Sequence, residues 1–300
     1  GGCSELGRKL RDLASELGIA RDVVQDITHD HGILALQGPL SRRILARLTD
    51  AVDDLRYFGV ARCQVAGHGV TLSRTGYTGD LGYELWIPRE GALPVLDAIL
   101  EAGRGDNLTM MGTTALKMAR VEAGLLLMDV DFHSSRHAWV DEQRETPTEL
   151  GWGWMLRAMD RSDRDFVGRE AIAQELSTGS SRWTTTGLAV DVHDYERVHD
   201  EAGVLAPRHE VYGETTMSVY RRSDTPWDYA GYATSFHYSS LLRRPLALAK
   251  VPLDLSAKGT EVELELTVIR RPRNVLARVH GASFFNPERK TAAADEVTSA

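Results

Sequence analysis

Apolar positions Leu6, Leu10, Leu13 and Leu17 recur at helical spacing between Ser4 and Leu17, so the chain is predicted to open on an amphipathic helix. The short apolar run Ile33 to Leu36 reads as a buried strand. Gln37, Gly38 and Pro39 end it, and Ser41 caps or opens the next helix. Further strands are predicted over Tyr57 to Gln64, Gly69 to Ser73 and Glu84 to Ile87, with a helix over Ala92 to Ala102. This alternation predicts an α+β sandwich, a split βαβ arrangement with helices on one face. A second region, Thr113 to about Leu176, opens on the run Ala115 to Gly124, which has helical propensity and ends on a glycine stop. The last third carries short β-like runs at Gly187 to Val190, Tyr232 to Ser235, Leu246 to Val251 and Val262 to Ile269. With turns placed at Lys258-Gly259 and at Pro272, it reads as a small all-β barrel or a jelly roll. The expected organisation is an α+β part over 1–110, a central segment over 111–180, an all-β part over 181–290 and a disordered polar tail over 291–300.

Composition narrows the classes. A chain of 300 residues with 42% hydrophobic content can bury two or three packed modules. A net charge of −8 argues against a duplex nucleic-acid binder, which needs a basic face. Two cysteines, Cys3 and Cys63, are too few for a disulfide framework or a four-thiolate metal site. No apolar run reaches the roughly 18 residues that span a bilayer, and no signal-peptide core is seen, so the expectation is a cytoplasmic protein off the membrane.

The stretch Ser73 to Trp86 concentrates the candidate chemistry. Gly76, Gly79 and Gly82 permit close backbone approach, Tyr77, Tyr83 and Trp86 offer flat surfaces, and Glu84 offers a carboxylate. It reads as a binding turn for a polar heterocycle rather than a core strand; the alternative is a glycine-rich hairpin with Glu84 in solvent.

Six segments in register resemble the folate-dependent aminomethyltransferase family, whose best-known member is the T-protein of the glycine cleavage system. They are Leu34 to Ser41, Arg74 to Glu84, Arg120 to Gly124, Thr146-Pro147, Asp165 to Arg169 and Gly231 to Ser235. The resemblance implies a multidomain fold with a ferredoxin-like α/β sandwich and a C-terminal β-barrel. It also implies a one-carbon (methyl or aminomethyl) transferase that uses tetrahydrofolate. By position in these motifs, Glu84 would accept hydrogen bonds from the pterin, a pairing that suits a bidentate carboxylate. Tyr77 would line the folate pocket, and Arg120 and Trp152 complete the expected cofactor contacts.

Two departures from the glycine-cleavage pattern bear on the reaction. Where that branch places an arginine, this chain has Leu116, and Lys117 is one residue out of phase, about 100° round a helix. The longer segment Asp129 to Pro147 is similar instead to the tetrahydrofolate-dependent O-demethylase branch, whose members take methyl groups from methoxylated aromatic acids; related members act on sulfonium or N-methyl compounds. The resemblance therefore implies a demethylase moving a one-carbon unit from a small methylated donor, of methoxy-aromatic or methylamine type, to tetrahydrofolate. The alternatives are a true aminomethyltransferase and a non-catalytic folate-binding protein. As partner, the resemblance implies a lipoyl carrier protein or a flavin dehydrogenase.

The family's hairpin bearing the catalytic aspartate has no counterpart before Gly1, so the expectation is a fragment of a longer polypeptide. Asp129, Asp131 and His133 are the remaining candidates for a polar role near the donor, and Asp131 could equally cap a turn. His133 and His137 stand at i, i+4, but Ser134 and Ser135 lower helix propensity and favour a loop over a metal site. His29, Asp30 and His31 read as a turn before the strand. One of Trp139, Trp152 and Trp154 is expected to stack on a ligand; bracing a strand is the other reading.

Overall fold

The computed structural model describes residues 2–292 except Arg136, Ala158, residues 160–164, residues 210–215 and Pro226. The tail expected over 291–300 lies outside the described residues from 293 onward. The chain divides into two compact units. The first is built from the residues up to Gly76, Asp80–Thr109 and the stretch from Glu288; the second from Tyr77–Gly79 and Met110–Pro287.

The first unit contains a four-stranded antiparallel sheet of β1 (His31–Gln37), β2 (Val60–Val65), β3 (His68–Ser73) and β4 (Gly82–Pro88), in the order β1-β4-β3-β2. Ala66 and Gly67 both adopt positive φ, the geometry a two-residue hairpin turn requires between β2 and β3. One sheet face buries Leu36, Leu72, Tyr83, Leu85 and Ile87 against α2 (Ser41–Leu45) and α3 (Ala92–Ala102), through Ile44, Leu45, Val95 and Ile99. Strand alternation therefore turns Ile33, Glu84 and Trp86 to the opposite face, where Ile33 is 51% and Trp86 39% exposed. The first helix, α1 (Gly2–Glu16), forms as its periodicity predicts.

Only part of Ser73 to Trp86 is a turn. From Gly82 onward it is a core strand, because Tyr83, Leu85 and Ile87 are buried on alternate positions. Of its three glycines only Gly79 has positive φ. Gly76 and Gly82 are small for another reason: a Cβ at either would collide with the side chain of Gln37.

The second unit opens with α4 (Thr113–Glu122), followed by α5 (Arg169–Thr178) and a closed barrel that decides between barrel and jelly roll. Its strands are β5 (Thr184–Val190), β6 (Met217–Arg221), β7 (Tyr229–Ser239), β8 (Arg244–Val251), β9 (Glu261–Val268) and β10 (Arg271–Val279), in the order β10-β5-β8-β7-β6-β9. Helix α6 (Val192–Asp200) follows β5. Leu188, Val219, Ala249, Leu264 and Val275 fill the interior, while Leu246 and Leu248 pack outward on Val121 of α4. Pro272 is not the turn expected: it lies in β10 opposite Thr267, and Ile269 and Arg270, both at positive φ, reverse the chain just before it. A proline near a strand start is tolerated where its missing N–H is not needed.

Candidate functional site

In the first unit, Glu84 stands on β4 opposite Ala35 of β1 and Ser73 of β3, on the sheet face away from the helices. Thr75 Oγ1 donates to Glu84 Oε2, and Ser73 Oγ lies 2.7 Å from Thr75 Oγ1. The amide of Gln37 donates to Thr75 O and Tyr83 O, both at 3.2 Å, and so ties the end of β1 to both flanks of the turn. The carboxylate is thus oriented through one oxygen by a hydroxyl held in place by two strands. Ile33 and Ala35 lie beside Glu84 and Trp86 on that face, while Ser73 and Thr71 flank them on β3, so the carboxylate sits between an apolar and a polar side of an open face. The sequence marked Gln37 only as the end of a strand and did not mark Thr75, because the register that sets them beside Glu84 follows from strand pairing.

The second unit holds a buried polar layer on the outside of the barrel. Arg120, in the last turn of α4, is fully buried. Its Nη1 donates to Asp131 Oδ2 at 2.5 Å and its Nη2 to Ser235 Oγ at 2.7 Å. Asp131 also accepts from Leu127 N at 2.7 Å, Thr234 Oγ1 at 2.6 Å and Ser235 Oγ at 2.7 Å. Consecutive strand residues normally face opposite sides. A bulge between Ala233 and Ser235 in β7 lets both hydroxyls reach one carboxylate. The helix ends on Gly124 at φ +70°, with Leu125 N on Arg120 O at 2.8 Å and Gly124 N on Val121 O at 3.0 Å, the glycine stop that fixes Arg120 at the helix end.

Beside this layer, Lys250 of β8 pairs with Glu145, and both side chains are almost wholly buried (4% and 2% exposed). Lys250 Nζ lies 3.1 Å from Tyr232 Oη, its neighbour across β7. Burial pushes the Lys250 ammonium down to about 8, while the charge of Asp131 acts in the opposite direction. Burial raises the Glu122 carboxyl, partly offset by a 2.6 Å hydrogen bond from Ser239. Glu149 accepts from Arg182 Nε at 2.9 Å and Thr146 N at 3.2 Å, which fixes the segment that follows Glu145.

The other expected site residues fall as follows. Tyr77 donates its hydroxyl to Leu126 O at 2.8 Å, within the second unit. Trp152 is half-buried and meets Phe132 edge-on, with centroids 5.4 Å apart. Trp139 and Trp154 are exposed. Asp129, at positive φ, and His133 are exposed loop neighbours, 3.9 Å apart. Asp131 caps no following turn; it reaches back to Leu127 N and across to Arg120. His137 lies in a turn, its N–H on Ser134 O, so it shares no helix with His133. Among the described residues no three His, Cys, Asp or Glu side chains gather as a metal site, and no helix is long and apolar enough to cross a membrane.

Residues 5–158 match the family model described as the GCVT N-terminal domain. A trimethylamine-oxide aldolase from Ruegeria pomeroyi is 35% identical over 88% of this chain and 30% of its own length. The mitochondrial dimethylglycine dehydrogenase of Homo sapiens is 28% identical over 81% of this chain and 25% of its own. An aminomethyltransferase from Bacillus velezensis is 30% identical over 84% and 60%. The chain therefore spans from about a quarter to three-fifths of the length of these relatives. The crystal structure of glycine cleavage system aminomethyltransferase T from Bartonella henselae shares the fold, with a TM-score of 0.64 at 24% identity over 85% of this chain and 60% of that one. The six motifs, the matched family model and these relatives together show that the chain belongs to the T-protein-like GCVT family.

Proposed function

We propose that this chain is the tetrahydrofolate-binding part of a one-carbon transferase that draws on a small N-methylated donor. The observation that carries the reading is Glu84, a carboxylate oriented by Thr75 on the open face of a sheet, with Ile33, Ala35 and Trp86 beside it. That donor set fits a flat heterocycle with N–H groups along one edge: the carboxylate accepts from the edge, and the face formed by Ile33, Ala35 and Trp86 supports apolar surface. Bound tetrahydrofolate would supply the nitrogen that receives the one-carbon unit. The protein's own contribution is chiefly positioning.

Tyr77, anchored by its hydroxyl to Leu126 O, is proposed as the folate-pocket ring on its place in the motif. Arg120 and Asp131 are proposed as the anchor of the α4 end and the 127–131 turn rather than as ligand contacts, since each is engaged by the other and by Ser235. A proton-moving role in this chain then falls to exposed Asp129 and His133.

The names of two relatives favour an N-methylated donor over a methoxy-aromatic one, because trimethylamine oxide and dimethylglycine both carry N-methyl groups. The second reading, an aminomethyltransferase working with a carrier protein, draws on the Bacillus velezensis relative. To test these, the longest natural form of the protein is incubated with tetrahydrofolate and, separately, with methyl-13C dimethylglycine, trimethylamine oxide or methoxybenzoate. Label reaching folate from the N-methyl compounds supports the proposal. Label from methoxybenzoate alone, or transfer only from an aminomethylated lipoyl carrier, would replace it.

A further inference from the structure

After the barrel ends, residues 288–292 belong to the first unit, and they form a tight turn with Thr291 N and Ala292 N both on Glu288 O at 3.0 Å. The carbonyls left over at the end of such a turn need donors. One guanidinium supplies them. Arg74, 2% exposed, donates from Nη2 to Arg289 O at 3.2 Å, Lys290 O at 3.1 Å and Ala292 O at 2.8 Å, and from Nη1 to Leu55 O at 3.1 Å.

The turn also reaches back. Arg289 donates from Nε to Asp80 Oδ1 at 2.6 Å and from Nη2 to Asp80 Oδ2 at 2.7 Å, a bidentate pair. Asp80 Oδ1 accepts in addition from Leu81 N at 2.6 Å, and Lys290 Nζ sits over the ring of Tyr57, 5.7 Å from its centroid. Residues 288–292 therefore grip the glycine-rich segment at both ends, accepting from Arg74 at its start and donating to Asp80 near its close. Thr75, the hydroxyl that orients Glu84, is the next residue after Arg74, and β4 begins two residues after Asp80.

We propose that residues 288–292 form a clasp that holds Thr75 and Glu84 in register for the folate ligand, which makes Asp80 and Arg289 positioning residues. The folate part rests on the reading of Glu84 given above. The clasp itself rests on the geometry alone. A merely structural staple would lower global stability when cut; a positioning clasp changes local order and ligand affinity while the barrel melts as before.

The test compares the wild-type chain with Arg289→Ala, Arg289→Lys and the charge exchange Asp80→Arg/Arg289→Asp. Readouts are amide exchange over residues 74–84, calorimetric affinity for tetrahydrofolate and unfolding temperature. Loss of a bidentate, partly buried pair is expected to raise exchange in 74–84 and weaken folate binding by about tenfold in Arg289→Ala. Arg289→Lys, which keeps the charge and loses the fork, falls between, and the charge exchange recovers most of both effects. Wild-type exchange and affinity in Arg289→Ala would overturn the clasp. Should the wild-type chain itself not bind tetrahydrofolate, the Glu84 reading and the folate half of this proposal fall together, and amide exchange still decides whether the clasp orders residues 74–84.

Discussion

Arg120 and Asp131 meet at 2.5 Å with essentially no exposure of either side chain, and they join the end of α4 to the bulged strand β7 through Ser235 and Thr234. Every strong acceptor direction of the carboxylate is taken up by Arg120, Leu127, Thr234 or Ser235. A buried pair of this kind is costly to break from one side only.

Asp131→Asn and Arg120→Met are each expected to destabilise the second unit by about 3–5 kcal/mol, since each leaves the other partner's charge buried and uncompensated. Urea unfolding of the two single variants and of Arg120→Met/Asp131→Leu measures this. The double variant should be less destabilised than the sum of the singles.

Lys250, although paired with Glu145, is lowered by burial and so predicts a pH dependence of opposite sign to that of a lysine whose value an ion pair raises. Its folded-state value of about 8 lies below that of an unfolded lysine, so between these values the unfolded chain binds more protons and stability rises with pH. The cost of burying the cation applies below about 8 and is relieved as pH climbs through the lysine range. Lys250→Met should abolish that rise in chemical unfolding measured from pH 7 to 10.5, a range set by the same shift. A wild-type curve that is flat over this range would refute the assignment.

Gly76→Ala and Gly82→Ala each place a methyl group on the Gln37 side chain. Overpacking of this sort costs about 1–3 kcal/mol. Gln37→Gly in the same background should recover part of the loss, because it removes the colliding atoms; absence of any recovery in a double-mutant cycle would locate the strain elsewhere.

Much of the fold was legible in the sequence because it is written in short-range pattern. Ala92 to Ala102, Leu246 to Val251 and the Gly124 stop all announce themselves by apolar spacing or by a residue with a special φ. Strands β6 and β10 and helices α5 and α6 were not predicted. Helix α6 is a polar stretch whose buried side, Tyr195 and Val198, is only two apolar residues wide, and β10 carries Pro272 with Arg271 and Arg273 on either side. Of the candidate site, Glu84 and Tyr77 were singled out through their motif. What holds Glu84 depends on pairings across the sheet, Thr75 to Glu84 and Gln37 to Tyr83, and what holds the barrel-side layer depends on partners as distant as Arg120 and Ser235. Neither is coded by spacing along the chain. They emerge when strand register brings remote residues together.

The proposed function turns on Glu84 as the carboxylate that receives the pterin edge. Calorimetric titration of tetrahydrofolate into the wild-type chain and into Glu84→Gln, with circular dichroism to verify that both are folded, tests it most directly. Replacing a charged acceptor by a neutral amide that presents a donor where an acceptor is needed should weaken binding about a hundredfold at unchanged fold. Equal affinity of the two proteins for tetrahydrofolate would contradict the assignment.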